Sequence, residues 1–554
     1  MWGSRLDINK KKASPKSAIG MFFSGVFVLT LANILVKAVG LISKIVLNRV
    51  VGSVGAGYYS SAYEIYAYLY VISTSGLPVA ISIMVSKSRG RGKIKEAKRI
   101  FDVAFFVLLL IGTVFSLGMI VFSDKIATLI GASDTKLPII MIAPTMLFIC
   151  LSSCLRGYFQ GYQLMAPTAI SQLIEAIIKV LLGVLLAFYA KNKGYNDFVV
   201  AAYTILGVTI GVLLGMIYLY VKKLSFKEYN YLPEALLDEN QKSKKRILKD
   251  LFAIAIPITL SSSVLSLTTI IDTVMVQNRL LAYGMNELSV RIYYGDYTSL
   301  VISMFNLPTI LFYPIANALV PLISLAQGNK NQQKGREIRE LSLRIINIIA
   351  IPCAIGLGIF SYPILSLLMF KEESVARAAP WLSIAAVSVI FLGIISVTNA
   401  FLNTAGKQKL PIISMIVGAI AKLISNYFLL GKIGILGAPV STVICYLCAS
   451  SLNIYFTVKN FGKICSFKKS FILPIVSSIL AIGSSATIYV VLLAFLPDKI
   501  STIIAIALAV VLYLLVSFKT KSVTIDDIYM IPNSEKILNF LFRFEFLKKL
   551  VQNR

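Results

Sequence analysis

The chain has 554 residues, 57% of them hydrophobic and 14% charged, with a formal net charge of +29 and no histidine. That balance excludes an ordinary soluble globular fold. The missing histidine removes the commonest proton shuttle and metal ligand, and the absence of a GxxxxGK(S/T) phosphate loop removes the usual means of hydrolysing ATP.

A basic segment over residues 1–20 leads into apolar runs that recur from Phe22 to Phe518 with short polar breaks. The first run is too long and too rich in lysine for a cleaved signal. Backbone groups in hydrocarbon must be satisfied within the chain, and the runs lack the period-2 alternation of barrel strands. An all-α polytopic membrane protein is predicted, with fourteen spans at 21–50, 59–85, 100–122, 138–156, 167–190, 198–220, 251–278, 293–325, 345–369, 380–402, 411–430, 438–458, 471–496 and 501–518. Lysine and arginine crowd alternate connections, most densely in KSRGRGKIKEAKR at 87–99 and around KSKKR in the linker. The positive-inside rule then predicts cytoplasmic N- and C-termini. Orientation and contact with anionic lipid account for the charge, so no nucleic-acid partner is expected.

No segment between spans is long enough to hold a soluble active site, and the paired acids Asp526–Asp527 sit in the tail, so transport is expected rather than catalysis. No cofactor or metal is called for. Cys445 and Cys448 form a CxxC at span depth, where packing is the expected role. The tail segment SEKILNFLFRFEFLKK at 534–549 has the spacing of an interfacial helix.

Weak internal repeats run through the chain. SGLPVAISIMVSK around Pro78 is echoed by FYPIANALVPLIS around Pro314; PTAISQLIEAIIK at Pro167 by PIISMIVGAIAKLISN at Pro411; Asn48–Arg49 by Asn278–Arg279. They predict a six-helix unit used twice: an N-lobe over 21–220, a linker over 221–250 and a C-lobe over 251–458. Two further helices follow over 459–518, then a tail over 519–554. Lobes of even helix number are related by a pseudo-two-fold along the membrane normal, with the binding cavity expected between them.

Polar residues stripe several spans. Asn33, Lys37, Gly40, Lys44 and Asn48 share one helical face, with Arg49 near the span's end. A cation at mid-depth costs at least ~2.5–3.5 kcal/mol, so Lys37 must have an offsetting partner. Thr168, Gln172, Glu175 and Lys179 share a face of span five, with Glu175 and Lys179 at a favourable i, i+4 spacing. Span seven adds Ser261, Thr268 and Asp272; spans two, eight and eleven add Glu64, Asp296 and Lys422. Pairing that merely glues helices is one account of these charges. A water-filled cavity with a cationic wall, and so an anionic ligand, is the other.

SGLPVAIS at 75–82, LRGYFQGYQLMAPTAISQLIEAIIK at 155–179 and the fourteen-span plan with two extra C-terminal helices resemble the MurJ-type lipid II flippases. The likeness extends to the branch of stage V sporulation protein B and the polysaccharide exporters. That resemblance implies the bilobed fold of the multidrug/oligosaccharidyl-lipid/polysaccharide (MOP) exporter superfamily. It further implies movement of an undecaprenyl-pyrophosphate-linked saccharide across a bacterial plasma membrane by alternating access. Lys37, Lys44, Arg49 and Lys179 become candidates for holding the diphosphate. Glu64, Glu175, Asp272, Asp296 and Lys422 become candidates for gating, ion pairing or proton coupling. The chain departs from the family in having Lys37 where arginine is commoner, and in carrying acids, Glu64 and Asp296, on spans where relatives carry cations. Some relatives bind sodium in the second lobe, where this chain places Lys422. A monomer is expected, with membrane lipids and cell-wall synthesis enzymes as partners, in vegetative growth or sporulation. Export of a teichoic-acid or capsular repeat, or drug efflux, are the alternatives.

Overall fold

Long apolar runs satisfy their own backbone only as helices, and in a computed structural model the described residues are helical nearly throughout, with no strand among them. Those residues are 15–226, 242–312, 315–316, 332–368, 371–462 and 466–523, without the side chains of 15–34, 37, 38, 41, 42, 44, 45, 261, 264, 265 and 332–335. The side chains of Lys37, Lys44 and Ser261, the proline at 314, half of the linker (227–241) and the tail helix expected at 534–549 thus lie outside the described residues.

The first half comprises α1 (Pro15–Gly90), α2 (Ile94–Val121), α3 (Ser123–Leu129), α4 (Lys136–Ile142), α5 (Thr145–Gly161), α6 (Ala166–Asn192) and α7 (Asp197–Leu224). In the second, α8 (Lys244–Ala282) is followed by α9 (Glu287–Asp296), a π-helical turn at Tyr297–Val301, and α10 (Ile302–Phe305). Then come α11 (Gln332–Ile359), α12 (Ser361–Leu368), α13 (Glu372–Ala386), α14 (Ser388–Thr404), α15 (Lys409–Ile433), α16 (Gly437–Phe461), α17 (Leu473–Leu492) and α18 (Asp498–Lys519). Ten helical stretches among the described residues are long and apolar enough to cross a membrane; the longest, Lys409–Phe461, holds both α15 and α16. The chain is therefore a multi-pass membrane protein.

Helix lengths and breaks recur. The succession α2, short α3, broken α4–α5, α6, α7 is repeated by α11, short α12, broken α13–α14, α15, α16. Buried apolar side chains also segregate by half. Two clusters draw on residues between Val46 and Ala255, and four on residues between Leu267 and Ala509. Only the start of α8, through Ile247, Leu251 and Ala255, enters a cluster of the first half.

The first two predicted spans are joined differently from expectation. A loop is predicted over 51–58, yet α1 runs through it with a single break at Gly52, whose φ of 75° and ψ of 178° belong to a region that only glycine occupies freely. A Cβ there would meet only the Lys371 ammonium, at 3.4 Å, so the constraint lies in the backbone and not in space. Gly52→Ala is expected to cost about 1–3 kcal/mol, read as a lowered Tm of the purified protein. An unchanged Tm would contradict the turn.

Close packing fixes α6, which carries part of the site. Gly207, Gly211 and Gly215 stack along one face of α7, and Cβ atoms at these positions would stand 2.4 Å from Gly183 N, 2.8 Å from Glu175 O and 3.0 Å from Ser171 O. Small residues spaced by four let the two backbones meet without a hydrophobic driving force in lipid. At the other end of the chain, α18 is tied to α11: Arg344 donates to the Lys521 and Ser522 carbonyls at 2.9 and 2.8 Å, and the Tyr513 hydroxyl to the Ile348 carbonyl at 2.7 Å.

Candidate functional site

Three polar assemblies interrupt the apolar packing. The first faces α1 from α5 and α6. Arg156 of α5 donates to Glu175 at 2.8 Å and to Ser171 at 3.1 Å, and both charged side chains are largely buried. Glu175 thus pairs across helices, not with Lys179 along its own helix as the spacing suggests. Lys179 instead places its ammonium 5.6 Å from the ring centre of Tyr63. Arg156 was not among the sequence candidates, although it stands in the RGYFQG segment that carries the family resemblance.

The second assembly lies in the other half. Lys422 of α15 donates to Asp272 of α8 at 2.7 Å, Asn426 donates to the other carboxylate oxygen at 3.0 Å, and the Ser441 hydroxyl of α16 donates to Asn426. Lys422 and Asp272 are only 3% and 9% exposed as side chains, so each charge depends on the other. They border a cavity of about 70 Å³ whose walls include Tyr294, Tyr297 and Thr442 and, from the first half, Glu64 of α1. Three of the sequence candidates, Glu64, Asp272 and Lys422, therefore share one small polar cavity between the halves. The five described cysteines, Cys445 and Cys448 among them, are free thiols.

The third assembly joins the halves at the end of the bundle that holds Arg49. Across the halves, Asn48 donates to Ser299 at 2.7 Å and the Ser53 and Ser374 hydroxyls lie 2.9 Å apart; beside them, within the second half, fully buried Asp296 accepts from Arg377 of α13 at 3.0 Å. Close backbone approach makes these contacts reachable. A Cβ on Gly295 would stand 2.0 Å from Ser53 O, and one on Gly57 would stand 2.4 Å from Arg291 O.

Two links across the halves answer one another. Arg49 donates to the Leu368 carbonyl at 2.6 and 3.1 Å, at the C-terminus of α12, while Asn278 donates to the Leu129 carbonyl at 2.8 Å, at the C-terminus of α3. Arg291 adds hydrogen bonds to Gly131 O and to Gln277, which also reaches Ser61 of α1. The α3 and α12 helices hold equivalent places in the repeated succession, and their last carbonyls attract donors and cations. The matching positions of the sequence echo differ in their contacts: Asn48 bonds Ser299 where Asn278 bonds Leu129, and Arg49 bonds Leu368. Arg279 itself stacks over Tyr427 at 4.2 Å.

No group of three metal-ligating side chains occurs among the described residues. The arrangement offers buried ion pairs that depend on helix positions, an interface closed at one end, and a cation beside aromatic rings.

The chain matches the family described as Polysaccharide biosynthesis protein over residues 22–327, and that described as MatE over residues 257–428. Stage V sporulation protein B of Bacillus subtilis (strain 168) is 26% identical over 435 residues, covering 76% of this chain and 80% of that protein. Lipid II flippase MurJ of the same organism is 25% identical over 453 residues, covering 79% and 82%. A solved structure of lipid II flippase MurJ in an inward closed conformation superposes with a TM-score of 0.64 at 16% identity, over 89% of this chain and 98% of that one. An inward-facing multidrug resistance MATE transporter of the MOP superfamily gives a TM-score of 0.64 at 14% identity, over 77% and 94%. These likenesses bear out the resemblance carried by the RGYFQG segment and the all-helical membrane fold.

Proposed function

Because the chain belongs to the polysaccharide biosynthesis protein family, within the MOP superfamily, we propose that it is a flippase moving an undecaprenyl-pyrophosphate-linked saccharide, lipid II, from the inner to the outer leaflet. The observation that carries this reading is the hydrogen-bonded closure between the halves at the Arg49 end. With the basic connections in the cytoplasm of a bacterium, that end is external, and the state described here is closed to the outside. The halves, 21–220 and 251–458, act as lobes that rock about a central cavity.

Asn48 reaches Ser299 of the opposite half, and by helical register Lys44 and Lys37 share the face of Asn48. Lys37, Lys44 and Lys179 hold the diphosphate while the isoprenoid tail stays in hydrocarbon. Arg49, engaged with Leu368, serves the closure. Asp272–Lys422, Arg156–Glu175 and Asp296–Arg377 position the helices that move, and Glu64 brings the first half into contact with the Asp272 cavity. An inside-negative potential favours outward movement of anionic cargo by about 2.3 kcal/mol per charge per 100 mV, so a coupling ion is not required. The protein acts as a carrier and not as an enzyme.

Complementation tests the reading in cells depleted of their own lipid II flippase, with outer-leaflet lipid II read directly. Wild type is expected to restore exposure of lipid II, and Lys37→Ala at equal membrane abundance is not. A well-expressed wild type that fails to rescue would contradict lipid II as cargo and direct the test to teichoic-acid or capsular precursors.

A further inference from the structure

Four tyrosines run down one face of α1 at positions 59, 63, 66 and 70. Their ring centres are 5.4, 5.5 and 5.9 Å apart in succession, with the first pair stacked. Tyr59 and Tyr66 are buried among the apolar residues of the first half, whereas Tyr63 and Tyr70 are only partly covered. The buried rings hold the partly exposed ones in place. Between Tyr63 and Tyr70 the helix advances about 10 Å.

The polar face of α6 runs alongside. Lys179 stands over Tyr63, and the Arg156–Glu175 pair lies beside Tyr66 and Tyr70. Further along this face, the hydroxyl of Thr168, a residue 2% exposed, and the amide oxygen of Gln172 are buried without a hydrogen-bond partner. Buried polar atoms left unpaired are costly, and in a transporter they are candidates for pairing with cargo. The exposed apolar residues of α6, Ile177, Leu181, Leu185 and Phe188, occupy the opposite face. Hydrocarbon therefore takes that side. Lys179, partly exposed at mid-span depth, is a cation that requires water or an anionic partner.

Resting on the flippase reading above, we infer that this strip is the sugar-contacting wall of the cargo site. The apolar faces of the saccharide pack on the Tyr63 and Tyr70 rings, its hydroxyl or acetamido groups meet Gln172 and Glu175, and Lys179 takes the adjoining phosphate. Aromatic rings interleaved with fixed donors and acceptors match the two-sided chemistry of a sugar ring, which an isoprenoid tail lacks. The length of the strip suits a disaccharide better than a single ring.

The test uses full-length protein in lipid nanodiscs and two soluble probes: a short-chain polyprenyl diphosphate carrying an N-acetylated disaccharide, and the same diphosphate without sugar. Tyr63→Leu with Tyr70→Leu is expected to weaken the sugar-bearing probe about tenfold and leave the sugarless one unchanged, whereas Tyr63→Phe with Tyr70→Phe retains binding. Lys179→Gln is expected to weaken both probes. Equal binding of the two probes by wild type would overturn the sugar wall and leave the flippase reading standing. So would leucine variants that bind the sugar probe as wild type does, or that weaken both probes alike. Wild type that binds neither probe would overturn the flippase reading itself.

Discussion

Lys422→Met is expected to be among the most destabilising single substitutions in the protein, lowering stability by about 3–5 kcal/mol. The ammonium is buried on Asp272 at 2.7 Å, and its removal strips the carboxylate of its charged partner while the Asn426 amide still donates to it. Asp272→Asn should cost a similar amount, because it strands Lys422 instead. The double variant should recover most of the loss, since an uncharged pair of similar volume carries no desolvation penalty. Thermal unfolding of the four proteins in one detergent checks this. Additive single effects would contradict the pairing.

Gly295→Val should abolish transport while leaving a folded protein. Its Cβ would stand 2.0 Å from Ser53 O and 2.8 Å from Gly57 N, both backbone atoms that no rotamer change can move aside. The halves must separate there, which also breaks Asn48–Ser299 and Ser53–Ser374. Cysteines introduced at Asn48 and Ser299 report the change. They are expected to cross-link readily in an otherwise wild-type chain and to react at least about tenfold faster with a water-soluble thiol reagent in the valine variant, a shift of about 1.4 kcal/mol in the closing equilibrium. Unaltered cross-linking would show that this contact is not part of a moving closure.

Helices were legible in the sequence where lipid imposes a rule on run length. Their breaks were legible only where a polar loop interrupts them. The stretch GSVGAGY at 52–58 reads as a loop by composition, yet it is helical after Gly52, and its small residues let the Glu287–Asp296 helix approach. Lys422, Asp272 and Glu64 were each legible as polar residues at span depth. Their meeting in one cavity was not, because helix register across the bundle leaves no mark in a single sequence. Glu175 shows the opposite error: an attractive i, i+4 neighbour, Lys179, hid the true partner, Arg156, which comes from another helix. The tyrosine ladder was passed over because aromatic spacing of this kind is ordinary in a core. What distinguishes it is the cation and the unpaired polar atoms of α6 beside it.

The most direct measurement of the central claim is the appearance of fluorescent lipid II in the opposite leaflet of sealed vesicles containing only this protein, with and without an imposed potential. Wild type should transfer the lipid, faster when the side of origin is negative, while Lys37→Ala and Gly295→Val protein should not. Transfer no faster than in protein-free vesicles, from correctly folded and oriented wild type, would contradict the account.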